Sequence, residues 1–147
     1  MNEEAKLGIL QALEERRSIR KYTADLPTNA QMAELMNAAL EAPTGRNAQS
    51  NEVYFIRNEQ TAARLQESAD NYLQMTRPDL SDSFHCFYDA PMIAILSADP
   101  DNKWKAVDAG IIAENICLAA NAVGHRTCII VMLQDLMRSD PSRSIMS

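Results

Sequence analysis

No stretch of these 147 residues is apolar for long enough to span a bilayer, and the N-terminal MNEEAKLG has no continuous apolar segment of the kind that directs secretion. These absences predict a soluble, cytoplasmic protein without a membrane partner. Positive charge is also in deficit: 14 Lys and Arg stand against 20 Asp and Glu, a formal charge of -6. That balance opposes nucleic-acid binding, which draws on counterion release by surplus basic groups. Three cysteines, Cys86, Cys117 and Cys128, are odd in number, with no C-x-x-C and no His pair at zinc-site spacing. They read as reduced thiols, Cys117 and Cys128 as small buried hydrophobes. His85 and His125 stand alone, so no metal site is expected. No Ser-His-Asp set or carboxylate pair marks a catalytic side chain, and no G-x-G-x-x-G links a strand to a helix to hold a dinucleotide.

What is present is an ordinary globular composition, 46% apolar and 23% charged, sized for one domain over residues 1–147. Leu7, Leu10 and Leu13 share a face of a helix over residues 3 to about 15. Pro27 and a T-x-x-Q capping box from Thr28 to Gln31 start a second helix, which stops at Ala42-Pro43-Thr44-Gly45. Val53-Tyr54-Phe55-Ile56 reads as a buried strand. Asn58 caps a third helix striped by Ala62, Leu65, Ala69 and Tyr72. Residues 76–89 have no assignment. Met92-Ile93-Ala94-Ile95-Leu96 reads as a strand buried on both faces, and residues 127–132 as a third strand before an interrupted last helix from Leu133. Between these two strands, the longest helix runs from about Trp104 to Val123 and ends at Gly124. Val107, Ile111, Ile112, Ile116, Cys117 and Leu118 cover most of its circumference. Such a helix must be covered nearly all round, by the sheet on one side and a second subunit on the other, or else by a single core.

Two polar clusters carry candidate chemistry. Arg16, Arg17, Ser18, Arg20 and Lys21 suit a phosphomonoester, because guanidinium groups bind phosphate as forks and Ser18 adds a hydroxyl. The same residues also suit a helix C-terminus that satisfies its dipole and pairs with Glu14 and Glu15. Thr44-Gly45-Arg46-Asn47-Ala48-Gln49 offers carboxamides whose paired donor and acceptor match the pyrimidine edge of a flavin, and it also suits a plain turn. A third candidate is the backbone around Val131 and Met132.

Taken in order, RRSIRKY, APTGRNAQSNEVYFI, DAPMIAIL and DAGIIAENICLAANAVGHRTCII strongly resemble the nitroreductase family from about Glu15 to Met132. The resemblance implies an α+β fold, a central, mainly antiparallel sheet flanked by helices, with the long buried helix at a homodimer interface. It implies FMN as cofactor and NADH or NADPH as electron donor, with nitroaromatic, quinone or related small molecules reduced by a ping-pong mechanism. Arg16, Arg17, Ser18 and Arg20 then match the segment that holds the FMN phosphate and ribityl chain. Pro43, Thr44, Asn47 and Gln49 match the loop bordering the ring, and backbone amides near Val131 and Met132 approach its reactive nitrogen. No side chain is assigned as catalytic. Substrate choice falls to the segment around Phe84 to Tyr88. Two departures stand out. Ser50 occupies a position where many relatives have proline, and the sequence stops at Ser147, where relatives continue into a further strand and a basic residue near the phosphate. A shortened architecture with weak flavin occupancy is therefore expected. The alternatives are a non-catalytic flavin-binding protein or degenerate paralogue, and a helical interaction module without flavin.

Overall fold

The computed structural model describes residues 3–81 and 83–133, with side chains from Gly8 onward. In chain order the elements are helices α1 (Glu3–Glu15) and α2 (Asn29–Leu40), strand β1 (Asn51–Ile56), helix α3 (Glu59–Thr76), strand β2 (Ile93–Ala98) and helix α4 (Lys105–Ala122). β1 and β2 pair in a small antiparallel sheet, and four helices with this sheet make an α+β fold. Among the described residues, no helix is long and apolar enough to cross a membrane.

The local signals act where they stand in the chain. Thr28 Oγ1 accepts the Gln31 amide at 3.2 Å while Gln31 Oε1 accepts the Thr28 amide at 2.8 Å, a closed capping box. Asn58 Oδ1 accepts the Thr61 amide at 2.9 Å and starts α3. α4 ends at Gly124, whose φ of +89° lets its N–H reach Asn121 O at 3.2 Å while His125 N–H reaches Ala120 O at 2.8 Å. That pair satisfies carbonyls the helix would otherwise leave open.

The chain forms two compact units. The first comprises, of the described residues, 3–19, Pro27–Tyr54 and Ile95–Cys128. Here α1 and α2 pack along α4, burying Met32 and Leu35 of α2 and Ile112, Ile116, Cys117 and Ala120 of α4. Side-chain amides fasten the helices: Asn115 Nδ2 donates to Ala38 O at 3.1 Å, Asn121 Nδ2 to Ala12 O at 3.3 Å and Gln31 Nε2 to Val123 O at 2.8 Å. The second unit comprises, of the described residues, Arg20–Leu26, those of 55–94 and 129–133. Its core joins Ala69 and Leu73 of α3 to Cys86 and Leu133, with Tyr72, Phe84, Phe87 and Ile130 packed against them.

Several expectations need correction. Residues 127–132 are not a third strand: Thr127 makes one parallel bridge with Ser18, and no strand pairing follows through Met132. β-branched residues favour extended backbone, but that preference does not by itself make a ladder, and Val131 is 77% exposed. β1 and β2 are only partly buried, alternating at Tyr54 and open at Ala94, as suits a sheet with one solvated face. Leu10 and Leu13 stay half exposed on α1, and Val107 on α4 is 56% exposed, so part of the apolar surface of each helix faces outward. The helix expected beyond Leu133 lies outside the described residues.

Candidate functional site

Two segments of the first unit carry most of the expected site residues, and both are tied to α4. The first is the loop between α2 and β1. Within it, Asn47 N–H donates to Thr44 O at 2.9 Å, Ala48 N–H to Gly45 O at 3.2 Å and Gln49 N–H to Thr44 Oγ1 at 3.0 Å. Arg46, Asn47 and Gln49 all have left-handed φ, at 56°, 54° and 48°. Each such residue costs about 1–2 kcal/mol, so the loop must be held from outside.

The holding groups come from the start of α4 and the turn before it. Asp108, only 2% exposed, accepts the Gly45 amide on Oδ1 at 2.8 Å and Asn102 Nδ2 on Oδ2 at 3.2 Å. Asn102 Nδ2 also donates to Ser50 Oγ at 2.8 Å, and its Oδ1 accepts the Trp104 amide at 2.9 Å. Trp104 lies against Gly45 so closely that a Cβ there would sit 2.7 Å from the indole Cδ1. Asn51 Nδ2 donates to Lys105 O at 3.4 Å, while its Oδ1 is buried without a partner among the described residues. In contrast to these anchors, the side chains of Asn47 and Gln49 are exposed and make no hydrogen bond among the described residues.

The second segment follows α1. Arg16 Nε pairs with Glu114 of α4 at 3.2 Å, leaving its two terminal nitrogens unused in that pair. Arg17 Nη1 donates to the carbonyls of Glu14 and, at 2.7 Å, Arg16, so this side chain satisfies the end of α1 in the structural role its position permits. Pairing of either arginine with the carboxylates of Glu14 or Glu15 is not seen. Ser18 is exposed beside its bridge to Thr127, and Ile19 N–H donates to Thr127 O at 3.0 Å. Six residues separate Asp108 from Glu114, about 9 Å of helix rise, so one rigid element carries the anchors of both segments. Of the expected residues, Arg16, Arg17, Ser18, Pro43, Thr44, Asn47 and Gln49 thus belong to the first unit, whereas Arg20, Val131 and Met132 belong to the second.

In the second unit the Arg20 guanidinium lies 5.9 Å from the centroid of the Tyr88 ring, within cation–π range. Tyr88 and Asp89 both have left-handed φ, at 54° and 55°. α3 fixes the approach to this turn: Asp70 Oδ1 accepts the Cys86 amide at 2.8 Å and Gln66 Nε2 at 2.7 Å, and Gln66 Oε1 accepts the Phe87 amide at 3.2 Å. An open groove of about 830 Å³ is lined here by Tyr22, Leu26, Gln66, Asp70, His85 and Pro91, among others. Burial, with the Asp70 charge second, pushes the Cys86 thiol up to about 12, and burial raises Cys117 as well. Neither is a ready thiolate. Among the described residues, no cluster of His, Cys, Asp or Glu is placed to hold a metal ion.

His85 Nδ1 lies 2.9 Å from Asp70 Oδ2, and this hydrogen bond, helped by the charge of Asp89, raises the imidazole above its ordinary 6.5. A raised folded-state value means that the pair's stabilisation is fully present below 6.5 and fades as pH climbs through the folded value. The His85 Cε1 proton should therefore titrate above 6.5 by NMR, and Asp70→Asn should lower its midpoint; a His85 midpoint at or below 6.5 in the wild type contradicts the pairing.

The comparisons agree with this architecture. The nitroreductase family model matches residues 13–139. The structure is similar to a nitroreductase with bound FMN from Bacteroides fragilis, at TM-score 0.84 and 24% identity over 99% of this chain and 79% of that one. It is similar to an FMN-dependent nitroreductase from Clostridium difficile, at TM-score 0.76 and 26% identity over 94% and 76%. A nitroreductase with bound FMN from Desulfitobacterium hafniense gives TM-score 0.72 and 27% identity over 84% and 67%. No curated protein matches the sequence. With a family model spanning most of its length and the fold of solved members, the chain belongs to the nitroreductase family.

Proposed function

We propose that this protein is a cytoplasmic, homodimeric FMN-dependent oxidoreductase that takes electrons from NADH or NADPH and delivers them to nitroaromatic, quinone or related small oxidised molecules, with residues 1–147 acting as one nitroreductase-like domain. The observation that carries the reading is the loop of Thr44 to Gln49, held rigidly by α4 while its two carboxamides stay unengaged. Such a surface suits the alternating donors and acceptors of a flavin edge. FMN is bound in several solved structures of similar fold.

In this reading Arg16, Arg17, Ser18 and Arg20 hold the phosphate and ribityl chain, Pro43, Thr44, Asn47 and Gln49 border the ring, and the backbone at Val131 and Met132 lies near its reactive edge. When bound, FMN supplies the electron chemistry, accepting hydride from the nicotinamide and passing electrons to the second substrate in a separate half-reaction. The protein's part is positioning and charge, and no side chain serves as nucleophile or general acid. Exposed apolar side chains on three helices, Leu10 of α1, Leu40 of α2 at 76% and Val107 of α4, favour a second subunit as their cover.

Purified protein should carry a yellow chromophore that heat releases as FMN, and mixing with NADH or NADPH should bleach it within catalytic times. Recovered FAD, or a colourless protein that FMN does not reconstitute, overturns the assignment. Arg20→Ala should weaken FMN binding by about 1.5–3 kcal/mol through loss of a charge-assisted bond. Equal affinity in a flavin titration would return Arg20 to a purely structural role over Tyr88.

A further inference from the structure

We propose that Asp108 and Asn102 form a two-residue clamp that sets the shape of the flavin-bordering loop, making them positioning residues for cofactor binding although neither belongs to the loop. The inference rests on the flavin reading above and names residues that reading does not use. Its geometry is closed. Asp108 accepts the Gly45 amide, just before the left-handed residues, and Asn102 donates to the hydroxyl of Ser50, just after them, while Asn102 also donates to Asp108. Both ends of the segment containing left-handed Arg46, Asn47 and Gln49 are thereby fixed to one polar pair, of which Asp108 is buried and Asn102 half-buried.

Every polar atom of the pair has a defined role. Asn102 spends Nδ2 on Ser50 and Asp108, and its Oδ1 on the Trp104 amide. Asp108 acts only as an acceptor, Oδ1 toward the backbone and Oδ2 toward Asn102. This accounting makes Asp108→Asn a disruptive change despite its near-identical shape. Its Oδ1 can still face Gly45, but its new amide then meets the Asn102 amide, donor against donor, and turning either group leaves a backbone N–H without an acceptor. Exchanging the two residues, Asp108→Asn with Asn102→Asp, removes the conflict. The carboxamide then at position 108 accepts from Gly45 and donates to the carboxylate at position 102, that carboxylate accepts the Trp104 amide, and the Ser50 hydroxyl turns from acceptor to donor.

The test compares wild type, Asp108→Asn, Asn102→Ala and the exchanged double variant. FMN affinity is read by flavin fluorescence, and loop order by amide hydrogen exchange of the flavin-free protein. Expected are FMN dissociation constants raised about tenfold or more in both single variants, and Gly45 and Gln49 amides exchanging about tenfold faster while those of Ile116 and Cys117 hold. The double variant should recover both. A purely structural role predicts general loss of protection in α4 with no selective effect at the loop, and that pattern overturns the proposal. So does wild-type FMN affinity in both single variants, with the parent reading left intact. If Asp108→Asn fails to fold, Asn102→Ala and the exchanged variant decide the matter by the same two readouts. Wild-type protein that binds no FMN overturns the parent reading and this inference with it.

Discussion

Ile116→Glu should yield little or no soluble, folded protein. Ile116 is buried in the first unit where α1 and α2 pack along α4. A carboxylate there has no cationic partner among the buried residues, and burying an unpaired charge belongs to the few mechanisms that cost about 4 kcal/mol or more. A domain of this size has only about 5–15 kcal/mol of stability to lose. Val107→Glu on the same helix provides the contrast, because Val107 is already more than half exposed. That change should leave the fold of the protomer intact, with a stability effect within about 0.5 kcal/mol, yet dissociate the proposed dimer. Circular dichroism and sedimentation check both halves. A folded Ile116→Glu protein would show that α4 is not the core of its unit, and a Val107→Glu dimer would move the interface elsewhere.

Leu35→Ala should destabilise the protein by about 2–5 kcal/mol, the usual range for a leucine removed from a core that does not collapse around the gap. Leu35 is 1% exposed and sits on the face of α2 that packs on α4. At this chain length the loss corresponds to a fall in Tm of about 5–20 °C. α2 leads directly into the Thr44–Gln49 loop, so the variant also tests coupling to the cofactor. Excess FMN should raise the Tm of variant and wild type alike, by the equivalent of about 2.7 kcal/mol at one hundred times the dissociation constant. A Tm within a degree of wild type would contradict the packing, whereas stabilisation confined to the wild type would mean that Leu35 shapes the flavin site as well as the core.

The helices were legible because their signals are local. Thr28 with Gln31, Asn58, and Gly124 each act within a few residues, and each does in the structure what its type and position imply. The strand expected over residues 127–132 failed for the opposite reason: composition records a preference for extended backbone, but not whether a regular ladder continues beyond the single bridge of Thr127 to Ser18. The clamp was missed on similar grounds. Asp108 in DAGIIAEN has a complete local explanation as an acidic residue in the first turn of a helix, where the dipole favours it. Its burial, and its bond to an amide 63 positions earlier, are long-range facts. The one available signal was a carboxylate beginning an otherwise strongly apolar helix. Ser50 likewise gives no local sign of its partner, because Asn102 lies 52 positions away in a loop that reads as an ordinary turn.

The dependence of the first unit on α4 also orders events during synthesis. α1 and α2 emerge from the ribosome early, yet the surfaces they pack against belong to a helix made much later: Ala12 waits for Asn121 across 109 positions, and Gln31 for Val123 across 92. At about 5–20 residues per second, that interval is roughly 5–20 s. Throughout it Met32 and Leu35 of α2 lack the α4 surface that helps to bury them, and the nascent chain offers them to whatever chaperone or aggregate is nearby. Folding of this unit is therefore gated by the arrival of α4, and contacts of such long sequence separation make the final docking slow as well as late.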